Sequence, residues 1–204
     1  MAKARQQGPE SRRISHTALV RSSQVRGQKS RKTLLKTLQQ QNAIAPVGKG
    51  IWRNISVPPS QFHSFVEPAF RSPQGVVCLL SALSFHRLTT QQPARVWFAI
   101  KQDGKPPKTS EIQLEVVRMA DICLQEGVEE HRIEGVPVRI TSAARTVADC
   151  FKFRNRVGID VAIEALRDCL RKRLASPVEI RRYAQICRVA KVMAPYLETI
   201  LETL

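Results

Sequence analysis

Acidic residues are almost missing from the first sixty positions. Glu10 stands there against twelve lysines and arginines, so this stretch holds +11 of the chain's net +16, and the other 144 residues carry only +5. A local excess of that size disfavours a cationic partner and points to a polyanion held at one face, nucleic acid first. Long apolar runs are also absent. None approaches the roughly 18–20 residues of a membrane-spanning helix, so no membrane partner is expected. The opening MAKARQQGPESRR lacks the apolar stretch that follows the basic start of a secretory signal, so a cytoplasmic location is expected.

Aromatics are scarce, with two Trp and two Tyr. Single-strand and RNA binders stack bases on such rings, and Trp52 and Trp97 both sit in apolar, buried-looking contexts. No CxxC pair occurs: Cys78, Cys123, Cys150, Cys169 and Cys187 are scattered singly, which reads as buried free thiols in a reducing compartment. His16, His63, His86 and His131 are equally dispersed, so no zinc or other metal site is expected. Neither GxxxxGK[ST] nor GxGxxG is present, so no nucleotide cofactor is expected.

What is present begins at Thr17. TALVRSSQVRGQKS predicts a short helix and a turn around Gly27, with Ser30 as N-cap of a second helix, SRKTLLKTLQQQN. In that second helix Leu34, Leu35 and Leu38 share one apolar face. Lys29, Lys32, Thr33, Lys36 and Gln40 fall opposite, and Arg31 projects nearer the leucines. Cations that hold phosphates beside short or amide side chains that reach base edges are what a major-groove helix requires. Asn42 can end the helix in the left-handed conformation. Ile44, Val47, Ile51 and Trp52 then bracket Pro46 and the Gly48-Lys49-Gly50 turn, predicting a two-stranded wing with Lys49 at its tip and Arg53 just beyond.

The expected fold is therefore mixed α/β (α+β). Residues 1–16 read as a basic arm, in which only 2–7 could supply a first helix, and 17–56 as a small winged helix-turn-helix. A linker follows at 57–60, then a larger α/β domain with a helical C-terminus at 61–204. In that second domain the sequence predicts a helix over Gln61–Phe70, a buried helix over Val76–Phe85, strands in ARVWFAI and IQLEVVRM, and a hairpin turning at Glu134-Gly135. Three helices follow: one from Thr141 or Ser142, one in GIDVAIEALRDCLRKR, and one opened by Ser176-Pro177 with Glu179 completing a capping box. A last helix carries Val192, Tyr196, Ile200 and Leu204 along one side, to pack internally or on a second copy.

The stretches GVVCLLSALSFHRLT (75–89), GVEEHRIEGVPVRIT (127–141) and SAARTVADCFKFRNRVGIDVAIEALR (142–167) together resemble the AbiEi-type antitoxins of bacterial type IV toxin–antitoxin systems. The basic wing segment is similar to the N-terminal DNA-binding domain of that family. The likeness spans about residues 17–173 and departs at Asn42, where such wings usually have Gly. It implies a winged helix that binds inverted repeats in duplex DNA upstream of its own operon and represses it. It also implies a C-terminal domain that counteracts a nucleotidyltransferase-like toxin, with direct contact open. Two-fold operators would suit a homodimer on DNA or two cooperating monomers. On this reading Lys32, Thr33, Lys36 and Gln40 enter the major groove, Lys49 and Arg53 touch the adjacent backbone or minor groove, and Arg21, Arg26 and Lys29 anchor phosphates.

The alternative is an enzymatic or directly toxin-binding C-terminal domain, with the basic arm as a non-specific tether. Its best catalytic candidates are Arg145, Thr146 and Asp149 with Lys152, Arg154 and Arg156. The i, i+4 spacing of Arg145 and Asp149 equally suits an ion pair that orients a helix. A metal-dependent nuclease needs paired carboxylates near a lysine at a strand end. Glu111, Glu115 and Asp121 come from the right region, but Val116, Val117 and Arg118 follow Glu115, so no catalytic site is expected.

Overall fold

The computed structural model describes residues 16–25 and 30–203. Two sheets and eight helices, counted over those residues, make the mixed α/β architecture that the sequence predicts. The larger sheet has the order β6-β5-β4-β8-β7, built from β4 (Val76–Val77), β5 (Val96–Lys101), β6 (Leu114–Met119), β7 (Val128–Ile133) and β8 (Val136–Thr141). β5 runs parallel to β6, and β4 parallel to β8, while the β4–β5 and β7–β8 pairs are antiparallel. Val96 to Ile100 are all buried, as expected of a strand covered on both faces.

Successive β5 side chains alternate between two cores. Trp97 and Ala99 face the helical layer of α3 (Leu79–Phe85), α4 (Ala143–Lys152), α6 (Ile159–Arg171), α7 (Pro177–Ile186) and α8 (Ala190–Thr203). Val96, Phe98 and Ile100 face the other way, onto Phe65, Val66 and Ala69 of α2 (His63–Arg71). A single turn, α5 (Arg154–Val157), joins α4 to α6. Ser142 is the cap of α4, and Ser176 with Glu179 forms the capping box of α7.

The smaller sheet has the order β1-β3-β2, from β1 (Leu19–Arg21), β2 (Ile44–Gly48) and β3 (Ile51–Asn54), all antiparallel. Val20, Ile44 and Trp52 pack with Leu34, Leu35 and Leu38 of α1 (Arg31–Gln40), capped by Ser30. Leu19 and Ile51 on the opposite face join the core of α2 and the larger sheet. The small sheet is thus held between α1 outside and α2 inside.

Two expectations are corrected here. The short helix from Thr17 is instead β1 and one 3-10 turn (Ser22–Gln24), because Leu19 and Val20 serve opposite apolar faces, which only a strand allows. The expected turn at Gly27 and a first helix in 2–7 lie outside the described residues. The Val76–Phe85 helix starts only at Leu79, since Val76 and Val77 are drawn into the sheet opposite Ala99 and Phe98. On α8 Met193, Leu197 and Ile200 are buried, and Val192 and Tyr196 are partly buried against the same core, so these members of the expected side pack internally; Leu204 lies outside the described residues. Asn42 closes α1 at φ 52°, and Glu134 and Gly135 form the hairpin turn at φ 51° and 79°, the paired positive values of a tight two-residue connection.

Gly75 sits where a side chain has no room: a Cβ would run into the Phe98 ring. Gly75→Ala is expected to destabilise the fold by about 1–3 kcal/mol in urea unfolding, and Phe98→Leu in the same chain should recover part of the loss.

Candidate nucleic-acid interface

α1 presents its basic ridge outward because its leucines have no other place to go. With Leu34, Leu35 and Leu38 buried on the small sheet, Lys32, Lys36 and Gln40 form an exposed i, i+4, i+8 line. Thr33 is exposed next to that line, but its hydroxyl is 2.8 Å from Ser30 Oγ and its backbone N–H donates to the same oxygen at 3.3 Å. Part of its hydrogen-bonding capacity is therefore spent on capping. Lys49 is exposed at the hairpin tip, where Gly50 adopts φ 71° and its carbonyl accepts from the Ser22 N–H at 2.8 Å.

Arg21 and Arg53 fall elsewhere. On β3 the side chains alternate, Ile51 to α2 and Trp52 to α1. Arg53 shares the face of Ile51 and is half-buried between Leu19 and Ala45 on the neighbouring strands. Arg21 lies on that face too. Its Nη2 donates to the Phe70 carbonyl at 2.9 Å, and its guanidinium stands 4.9 Å from the Phe70 ring centre. Both arginines line the side turned to α2, away from the α1 ridge. Arg26 and Lys29 lie outside the described residues.

The small sheet is fastened to the larger one by polar contacts that local sequence patterns do not reveal. The Glu134 carboxylate accepts from the Ser60 backbone N–H at 2.7 Å and from its hydroxyl at 3.0 Å, and the carboxylate also contacts His63 Nδ1 at 2.8 Å. The Glu134 carbonyl accepts from the Ala18 N–H at 2.8 Å. Arg71, paired with Glu67 at 2.7 Å, lies under the hairpin: a Cβ on Gly48 would come within 2.7 Å of its Nη2. Glu67 also accepts from the Ser110 N–H at 3.0 Å. The Glu67–Arg71 spacing was the one available signal, and a helix-surface pair reads the same way.

Of the residues that an enzymatic reading would use, Arg145, Thr146 and Asp149 are buried, Arg154 is half-buried, and Glu111, Lys152 and Arg156 are exposed. Arg145 and Asp149 are 0% exposed and paired at 3.1 Å. Arg145 Nη1 donates to the Glu126 carbonyl at 2.7 Å, and the Cys187 thiol donates to Asp149 Oδ1 at 3.3 Å. Burial works against the Arg145 cation, yet the Asp149 carboxylate holds it protonated above its usual range. Burial and the same carboxylate push the Cys187 thiol up to about 12. Thr146 donates to the Thr141 and Ser142 carbonyls at 3.1 and 2.8 Å. Arg156 pairs with Glu115 and stacks 5.0 Å from the centre of the Trp97 ring. Arg154 donates to the Phe151 carbonyl, and Lys152 lies over Phe153. Asp121 pairs with Lys101 at 3.0 Å, so Glu115 and Asp121 each face a cation of their own. Among the described residues no group of three or more His, Cys, Asp or Glu is placed to hold a metal ion, and no helix is long and apolar enough to cross a membrane.

No family model and no curated protein matches the chain. Among solved structures it is similar to the crystal structure of the RV2827C protein from Mycobacterium tuberculosis. The TM-score is 0.53 at 12% identity, over 94% of this chain and 78% of that one. At that identity the likeness speaks for the fold alone.

Breaking the sealed pair from one side strands a charge in the core. Asp149→Asn is expected to destabilise by about 3–5 kcal/mol, whereas the double change Arg145→Met with Asp149→Leu should stay within about 2 kcal/mol of the parent, since apolar replacement of a buried pair is often neutral. Denaturant unfolding of the two variants separates these outcomes.

Proposed function

We propose that this chain is a DNA-binding transcriptional autorepressor that serves as the antitoxin of a type IV toxin–antitoxin pair, opposing a nucleotidyltransferase-like toxin. The observation that supports DNA binding best is the outward ridge of Lys32, Lys36 and Gln40 on a helix whose other side is sealed onto a sheet, with Lys49 exposed at the tip of the adjoining hairpin. A helix held rigidly by one face and cationic on the other fits a major groove, and a hairpin tip beside it fits the flanking backbone. The antitoxin role rests on the three stretches that resemble AbiEi-type proteins. Duplex DNA carrying inverted repeats upstream of the chain's own gene is the proposed ligand.

Arg21 keeps a supporting part in this reading. Its guanidinium ties β1 to the end of α2, so it sets the angle at which the small sheet presents α1. The groove-facing set is Lys32, Lys36 and Gln40, with Lys49 on the backbone. No catalytic residue is proposed.

Lys32, Lys36 and Lys49, with Arg26 and Lys29 of the same stretch, would make about 3–5 phosphate contacts and give a log–log slope of affinity against salt of about −3 to −4.5. Fluorescence anisotropy across a salt series checks this, and a slope shallower than about −2 contradicts the electrostatic footing. Lys32→Ala with Lys36→Ala should abolish operator binding and leave thermal unfolding unchanged, because both side chains are exposed. A double variant that fails to fold would show that these lysines support structure instead of DNA.

A further inference from the structure

α7 and α8 form a helical hairpin joined through Cys187–Val189, and only its inner side is finished. Ile180 and Ala184 of α7 and Met193, Leu197 and Ile200 of α8 are core residues. Two separate grooves open on the outer side, the second shared with Leu170 at the end of α6. At one end Gln185 of α7 and Ala190 of α8 border a groove of about 160 Å³, which also takes in Arg181 and Glu198. At the other end Pro177 and Leu201 border a second groove of about 360 Å³, next to Arg173. The start of α7 thus lies by the end of α8, so the two helices are antiparallel, with Arg181 level with Glu198 and Pro177 level with Leu201.

This surface is apolar and wet. Of the five exposed large hydrophobic side chains among the described residues, Leu201 at 37% lines the second groove, and Leu174 at 46% and Val178 at 75% are chain neighbours of Arg173 and Pro177, which line it too. It carries charges of both signs. Arg173 and Arg181 line it from the α7 side and Glu198 from α8, with Glu202 one turn on; all four are exposed, as is Lys191, two turns before Glu198 on the same stripe of α8.

We propose that the α7–α8 surface is a homodimer interface, occupied by the same surface of a second copy of this chain. A two-fold axis parallel to the helices sets α7 of each protomer over α8 of the other. The result is a four-helix bundle whose neighbours are all antiparallel. Each Arg181 then meets Glu198 of the second copy and each Arg173 meets Glu202, while Leu174, Val178 and Leu201 close around the axis. Isologous contacts require such self-complementarity, a patch that carries both halves of each pair. A wholly acidic partner helix would leave Glu198 and Glu202 against like charge, and a wholly basic one would do the same to the arginines. The inference stands apart from the DNA reading, since α1 and the hairpin take no part in it.

Sedimentation equilibrium of the full chain decides it. The 23.0 kDa chain is expected at twice that mass, and Val178→Glu should return it to the single-chain value with an unchanged circular dichroism spectrum. Arg181→Glu and Glu198→Arg should each be monomeric for the same reason of like charge. An equimolar mixture of these two variants should regain the dimer mass, because every cross-chain pair is then of opposite sign. A parent chain that stays monomeric at about 100 µM, too weak for a specific dimer, overturns the proposal. So does a dimer that Val178→Glu and Arg181→Glu leave intact, or a mixture that remains monomeric.

Discussion

A three-stranded sheet with apolar residues on both faces has to be covered twice, and that constraint organises the N-terminal part of this protein. α1 covers the face of Val20, Ile44 and Trp52; α2 and the larger sheet cover the face of Leu19 and Ile51. Burying a Leu, Ile or Val side chain is worth about 1.5–3 kcal/mol, so neither face can be left wet. The result is directional. Among the described residues the one helix outside the sandwich is the basic one, and its cations have nowhere to point except outward.

The C-terminal part depends on a second constraint, the ion pair sealed within α4. Arg145 holds the carbonyl that precedes β7, and Asp149 receives the Cys187 thiol at the α7–α8 joint. One pair on one helix therefore indexes the sheet below and the helical hairpin beside it. Such a pair adds little net stability, because desolvation offsets the attraction, but it penalises any packing that separates the partners. Gly127 serves the same contact. With φ 64° and a would-be Cβ only 2.7 Å from Tyr183 and 2.9 Å from Arg145, it lets the chain pass close over the buried arginine.

The α1 leucines, Ser30, Asn42 and the hairpin around Lys49 were legible because each is a local pattern: period, cap, turn. The capping box at Ser176 and the turn at Glu134-Gly135 were legible for the same reason. β1 was not. Leu19-Val20-Arg21 is too short to show a period, and its strand character comes from pairing with β3 thirty or more residues away. Val76-Val77 was absorbed into a helix for the same cause, since its pairing with Ala99 and Phe98 is not visible locally. The basic constellation was read as one surface, yet strand alternation places Arg21, exposed beside Phe70, and Arg53, half-buried, on the face of Leu19 and Ile51. Charge counts do not carry direction; only the sheet does.

The central claim is that the outward face of α1 and the tip of its hairpin read duplex DNA. Competition between the DNA upstream of the chain's own gene and a scrambled duplex of equal length, at one salt concentration, tests it most directly. A preference of about a hundredfold or more for the upstream DNA, in the range of specific over non-specific binding, is the predicted result. Equal, weak binding to both would contradict the account, reduce the basic face to a non-specific tether and move the function to the C-terminal domain.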